Sequence, residues 1–238
     1  MQILDTGENL AQENMRIDEE LLEGLKDEPI LHFYDWKNPS ITHGYFIQPE
    51  KWLHLEKLKE LGIDLARRPT GGGIVFHLWD LAFSFLLPSS HSCFSKNSLD
   101  NYRFVNNLVL QAVKDYMAIN SPLNLIAQDK EAKFSFSSKF CMARPTKYDL
   151  MLEGKKIAGA AQRKKTQGYL HQGTISISHP ELEVLESALR DPKITQEIFS
   201  NTCVLIGEKD SLERVRSELQ ENLKNEFANA FEMMFLDS

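Results

Sequence analysis

Between Asn9 and Leu25, the apolar residues Leu10, Met15, Ile17, Leu21, Leu22 and Leu25 mostly recur three to four residues apart among Glu and Asp. That is the spacing of an amphipathic helix. Short β-branched and aromatic runs follow at Ile30–Trp36 and Ile41–Ile47, separated by the turn-forming Lys37-Asn38-Pro39-Ser40, a pattern that predicts a strand pair. A helix from Glu50 to Leu61 is predicted to stop at Gly62. Ile63–Arg68 and Gly73–His77 read as strands flanking Pro69-Thr70-Gly71-Gly72, and Leu81–Leu87 as a third strand before Pro88.

Ser89–Ser98 is polar and reads as a loop. From Asn101 to Met117, the stripe Tyr102, Val105, Leu108, Val109, Ala112, Val113 and Tyr116 predicts a helix capped by Ser98 or Asp100. Gln128–Lys147 has no period yet carries Phe134, Phe136, Phe140 and Cys141. Alternation returns in Tyr148–Glu153 and Tyr169–Ser178, as in antiparallel sheet. Short helices are predicted near Glu181–Leu189 and Thr195–Phe199, and Leu212, Val215, Leu219, Leu223, Phe227 and Phe231 mark a long terminal helix. Helices interleaved with mostly hairpin-joined strands imply an α+β or mixed-sheet α/β fold. Without a repeat or a Pro/Ser-rich linker, residues 1–238 read as one domain.

The formal charge of -7 and pI near 5.6 argue against binding to a nucleic-acid backbone, which needs a basic face. Apolar runs such as Leu81–Leu87 are far shorter than the roughly 20 residues that span a bilayer, and no signal peptide opens the chain. A cytoplasmic protein without a membrane partner is expected. Cys93, Cys141 and Cys203 are too few and scattered for a disulfide framework, and no CxxC or HExxH spacing supports a metal site.

Three strings are candidates for chemistry. Gly71-Gly72-Gly73 lets backbone N–H groups approach an oxyanion or phosphate, the alternative being a tight hairpin with no ligand. It lacks the spacing of the classical nucleotide loops. Lys155 and Lys156 open a strand, and neighbours on a strand point to opposite sides, so only one of them is at the surface if the other face is buried. Cys141 differs from Cys93 and Cys203 in its basic neighbours Lys139, Arg144 and Lys147, and positive charge favours the thiolate that a nucleophile needs. His77 and His171 are expected to line a pocket.

Taken in order, Arg67-Arg68-Pro69-Thr70-Gly71-Gly72-Gly73-Ile74-Val75-Phe76-His77, Gly154-Lys155-Lys156-Ile157-Ala158-Gly159-Ala160-Ala161-Gln162 and His171-Gln172-Gly173-Thr174 resemble the lipoate–protein ligase and octanoyltransferase family. The similarity reaches upstream to Asn14–Glu19 and Trp36–Gly44, and so implies a core at about 9–178 followed by a helical extension at 179–238. The resemblance implies a mixed, largely antiparallel sheet flanked by helices, the biotin/lipoate ligase-like catalytic domain, which attaches an acyl group to a lysine of a lipoyl domain. Such domains belong to the 2-oxoacid dehydrogenase E2 component or the glycine cleavage H protein.

Two chemistries compete within that family. The ligase branch activates lipoate with ATP and Mg through an acyl-adenylate. The transferase branch takes octanoyl from acyl carrier protein or another lipoyl domain, holds it as a cysteine thioester and requires no cofactor. Phe140-Cys141-Met142-Ala143-Arg144-Pro145-Thr146-Lys147-Tyr148-Asp149-Leu150 is similar to the transferase cysteine segment, and Tyr148-Asp149 stands where ligases typically show Asn-Asp. The glycine triplet with Val75-Phe76-His77 is closer to the ligases, whereas Leu78 replaces their Asp and Gln172 stands where they often have a second histidine.

On this resemblance Cys141 is the thioester nucleophile and Lys156 its electrostatic partner. Arg67, Gly71, Gly72, Gly73, His77, Gly159, His171 and Gly173 are the substrate-binding residues. Burying an eight-carbon chain at about 0.8 kcal/mol per methylene brings on the order of 5 kcal/mol, and Ile74, Phe76, Phe83 and Phe85 are the expected lining. A non-catalytic acyl-binding homologue is a third reading.

Overall fold

The computed structural model describes residues 1–117, 123–127, 139–142, 145–206 and 212–236; Phe134, Phe136 and Arg144 lie outside the described residues. Its elements in chain order are β1 (Gln2–Asn9), α1 (Ala11–Glu23), β2 (Ile30–Trp36), β3 (Ser40–His43), α2 (Leu55–Glu60), β4 (Asp64–Arg67), β5 (Ile74–His77) and β6 (Asp80–Pro88). There follow α3 (Ser98–Met117), β7 (Leu123–Leu125), β8 (Leu150–Leu152), β9 (Lys155–Lys164), β10 (Gly168–Ser176), α4 (Leu182–Ala188), α5 (Pro192–Asn201) and α6 (Leu212–Leu236). Seven strands form one sheet in the order β1-β2-β6-β10-β9-β8-β7, antiparallel except for the β1–β2 edge, and three form a second sheet in the order β4-β3-β5. The mixed, mostly antiparallel fold expected from the sequence is present.

Alternation along the central strands sends Phe33, Phe83, Phe85, Tyr169 and Ile175 to one face of the large sheet. There they meet Val105, Val109 and Val113 of α3 and Val215, Leu219, Leu223, Phe227 and Phe231 of α6, so the terminal helix helps to close the main core. The opposite face carries Tyr34, Leu86 and Leu170, covered by Met15 and Leu22 of α1. A separate apolar cluster joins the small sheet to α4 and α5 through Ile41, Ile74, Leu185, Ile194 and Ile198.

Several local expectations are corrected. β1 lies on an edge with most side chains exposed, so no hydrophobic alternation announced it. β2 and β3 are not a strand pair: Lys37–Pro39 carries the chain from one sheet to the other. β3 ends at His43, because Gly44 turns against the glycine loop, where a Cβ would stand 2.1 Å from the Gly72 carbonyl oxygen. The expected helix over 50–61 is broken into a 3-10 turn at Pro49–Lys51 and α2, with Leu53 bridging to Leu189 between them. Most important for the site, β4 and β5 do not pair with each other. β4 runs parallel to one side of β3 and β5 antiparallel to the other, so Pro69–Gly73 arches over the end of β3 and is not a tight hairpin.

Candidate active site

The arch is held from beneath by Arg68. Its guanidinium is buried and donates to the Thr42 hydroxyl at 2.7 Å and to the carbonyls of Gly71 at 3.0 Å and Gly73 at 2.8 Å. Burial pushes Arg68 below its ordinary value, while the Cys141 sulfur nearby acts in the opposite direction. Gly72 has φ +84°, and a Cβ there would lie 3.2 Å from Cys141 Sγ and 3.3 Å from Arg68 Nη2. Glycine is therefore required twice at this position, by the left-handed backbone and by the closeness of the sulfur and the cation.

The segment Phe140–Met142 runs along β5, with Phe140 bridged to Ile74 and the Cys141 N–H donating to the Ile74 carbonyl at 3.1 Å. This register seats Cys141 beside the arch, and the Gly73 N–H donates to its sulfur at 2.9 Å. Cys141 stands between two spaces. A narrow inner cavity is lined by Met15, Tyr34, Arg68, Val75, His77, Met142, Gly159, Ala160, Gln172, Gly173 and Thr174 among others. A wider, more open outer one is lined by Ile47, Gly71, Gly72, Gly73, Lys139, Thr146 and Gln162 among others. Cys141, Lys156, Ala160 and Ala161 line both.

Lys156 is buried and Lys155 exposed, as the strand geometry requires. Its ammonium lies 2.8 Å from Asp149 Oδ2 and donates to the Cys141 carbonyl at 2.9 Å. Asp149 is fully buried, and its carboxylate also accepts from the Tyr102 hydroxyl and from the N–H and hydroxyl of Thr146, at 2.6 and 3.0 Å. Burial, and next the Asp149 charge, hold the Tyr102 phenol well above its ordinary value, so it stays a donor. Gly159 leaves the space for this arrangement: a Cβ there would stand 2.5 Å from Lys156 Nζ and 2.8 Å from Asp149 Oδ1.

Below the cavity the polar groups are tied together. Thr70 donates to Gln172 at 2.6 Å, and Gln172 donates to the buried Asp18 at 2.6 Å. Asp18 also meets Ser84 at 2.6 Å and His32 at 2.8 Å. His77 bonds to the Thr42 hydroxyl at 2.8 Å and to Asp80 at 2.7 Å, with Trp36 stacked on its ring at 4.4 Å. Burial pushes Asp80 upward, but the His77 ring and the Thr174 hydroxyl outweigh it and hold the carboxyl below its ordinary value.

Residues 11–233 match the lipoyl protein ligase A/B catalytic domain. The chain belongs to this family. Its relatives include the octanoyltransferase LipM of Geobacillus kaustophilus, 32% identical over 239 residues that span 96% of this chain and 84% of that one. The LipM of Carboxydothermus hydrogenoformans is 30% identical over 234 residues, 95% of this chain and 84% of its own. Among solved structures, a lipoate-protein ligase A bound with ATP superposes with a TM-score of 0.69 at 26% identity, covering 95% of this chain and 85% of that one. A bi-partite lipoate protein ligase from Thermoplasma acidophilum shares the fold with a TM-score of 0.69 at 24% identity, over 97% and 83% of the two chains.

Of the residues singled out from the sequence, Cys141, Lys156, Gly71, Gly72, Gly73, His77, Gly159 and Gly173 all line the two cavities. Arg67 and His171 do not. Arg67 is exposed and lies over the Tyr45 ring at 4.7 Å, because β4 turns its neighbour Arg68 inward instead. His171 faces α3 from the other side of β10, buried beside Tyr102, Phe83 and Tyr169. The expected lining also shifts: Phe83 and Phe85 belong to the main core, and Ile74 and Phe76 line an adjoining apolar space of about 520 Å³. The sequence assigned none of Arg68, Asp149, Tyr102 and Gln172 to the site; of the two adjacent arginines it singled out Arg67. Among the described residues, no His, Cys, Asp and Glu group of three or more is arranged to hold a metal ion, and no helix is long and apolar enough to cross a membrane.

Proposed function

We propose that this chain is an acyltransferase of protein lipoylation that moves an octanoyl or lipoyl group to a lysine of a lipoyl domain through a thioester on Cys141. One observation carries the reading: a half-buried thiol, touched by a backbone N–H and flanked by a buried ammonium, at the junction of an inner and an outer cavity. The family and the octanoyltransferase names of its relatives support octanoyl transfer over ligation.

In the first step the Cys141 thiol gives up its proton as its sulfur attacks the carbonyl carbon of an acyl thioester; the Cys141 S–C bond forms, the carrier's C–S bond breaks, and the departing carrier sulfur takes up that proton. Octanoyl-acyl carrier protein is the proposed donor. In the second step the neutral amine of the lipoyl-domain lysine attacks the same carbon, the S–C bond breaks, and the amine proton passes to the departing Cys141 sulfur. The Gly73 N–H steadies negative charge on that sulfur whenever it is uncoupled from carbon. Lys156 opposes the charge on the carbonyl oxygen in both tetrahedral states. The inner cavity takes the acyl chain, whose burial supplies about 0.8 kcal/mol per methylene.

An acyl-adenylate is the competing route, requiring ATP and Mg. The carboxylate at the position of the ligases' Asn-Asp pair is Asp149, and both its oxygens are engaged by Tyr102, Lys156 and Thr146. That set does not fit a further cation. The test is octanoylation of a lipoyl domain from octanoyl-carrier protein with nucleotide removed, beside lipoylation from free lipoate with ATP and magnesium. Modification in the first mixture is expected. Modification in the second mixture only, retained in Cys141→Ala, contradicts the proposal.

A further inference from the structure

Lys156 has three N–H donors and no acceptor. Two are committed inside the protein, to Asp149 Oδ2 at 2.8 Å and to the Cys141 carbonyl at 2.9 Å. Among the described residues the third has no partner, and it faces the cavities that Lys156 lines. A lysine side chain ordinarily explores many rotamers, and holding one donor on a target requires the others to be fixed. Asp149 is itself fixed: Tyr102 from α3 holds Oδ1, while the backbone and hydroxyl of Thr146 hold Oδ2. The Gly159 notch completes the enclosure.

We infer that Asp149, clamped by Tyr102 and Thr146, is a positioning residue: it fixes the Lys156 ammonium and aims its remaining N–H at the oxygen of the acyl thioester. The inference rests on the thioester reading above and adds to it what sets the lysine's direction. Among the described residues, the other titratable or charged groups on these cavities are Tyr34, Arg68, His77 and the Cys141 thiol on the inner one and Lys139 on the outer one. Arg68 and Lys139 are cations, so neither can replace Asp149 as the anionic partner that holds the ammonium in place.

The experiment compares wild type with Asp149→Asn and Tyr102→Phe in the Cys141 acylation step and in full transfer, together with thermal melting. Asp149→Asn should lower kcat at least thirtyfold and leave KM for the lipoyl domain within threefold. Tyr102→Phe, which keeps the ion pair and loosens its anchor, should lose about three- to tenfold in kcat. The decisive readout is a cycle with Lys156→Ala. In that background Asp149→Asn should cost less than twofold, because a residue acting through Lys156 has nothing left to act on.

Equal losses from Asp149→Asn with and without Lys156 overturn the inference, as does a loss that falls on KM and leaves kcat unchanged. If Asp149→Asn melts too early to assay, the same cycle run with Tyr102→Phe decides: an effect that persists in Lys156→Ala overturns the inference and one that vanishes supports it. Failure of wild type to acylate Cys141 overturns the thioester reading itself. A Cys141 adduct with an unchanged cycle overturns only the role given to Asp149.

Discussion

His171 and Gln172 are neighbours on β10 and live in different solvents. Gln172 faces α1 and the arch, where its amide donates to Asp18 and accepts from Thr70. His171 faces α3 among Tyr102, Phe83 and Tyr169, with one ring nitrogen 3.1 Å from the Tyr169 hydroxyl and the other without a partner. Burial pushes this histidine down to about 3, so it is neutral in the folded protein at ordinary pH. One face of the sheet is a polar scaffold that fixes a reactive corner, and the other is a core that tolerates one uncharged imidazole. A different division, of a buried side chain from an exposed neighbour, separates Lys156 from Lys155 and Arg68 from Arg67.

The lysine pair should separate the faces most widely. Lys156→Ala is expected to slow acyl transfer by roughly a hundredfold or more, the scale for loss of a principal oxyanion donor. Lys155→Ala should change it less than twofold in the same lipoyl-domain assay. Comparable losses at both positions would erase the distinction.

The arginine pair comes next. Arg68→Lys keeps the charge but lacks the planar fork that now spans Thr42, Gly71 and Gly73, so the arch should loosen and kcat fall about tenfold. Arg67→Lys should stay within twofold, apart from any weakening of partner binding at the exposed Tyr45 ring. Steady-state kinetics on both variants reads the difference.

His171 should matter least to catalysis and most to acid tolerance. In the unfolded chain the imidazole titrates near its ordinary value, whereas in the folded state it resists protonation down to about 3. Between those values the unfolded chain binds the extra proton, so stability falls as pH falls, by up to about 1.4 kcal/mol per pH unit from this group. His171→Phe should leave kcat within twofold and flatten the dependence of Tm on pH below about 6. A large loss of turnover in that variant would move His171 back into the site.

These contrasts also mark how far the sequence could be read. Lys156 was separable from Lys155 because strand neighbours alternate and the strand was evident. Arg67 and Arg68 carry no such signal: β4 is four residues long, and its face is set by pairing with β3, which lies 24 residues earlier in register at Ser40 and Asp64. The strands around the arch were legible, but their partners were not, since both pair with β3 and not with each other. Asp149 was visible only as part of a motif. Its meeting with Lys156 depends on the β8–β9 turn and on Tyr148 at φ 69°, and its meeting with Tyr102 spans 47 residues. His171 looked like a site residue because its neighbours are; one residue of register decides the face.

The central claim is that the acyl group rests on Cys141 between the two half-reactions. Intact-mass analysis after exposure to octanoyl-carrier protein, with no lipoyl domain and no nucleotide, tests it directly. The account predicts one octanoyl adduct, labile to hydroxylamine, mapped to Cys141 and discharged when a lipoyl domain is added. An adduct mapped to Cys93 or Cys203, or full transfer by Cys141→Ala, would contradict it.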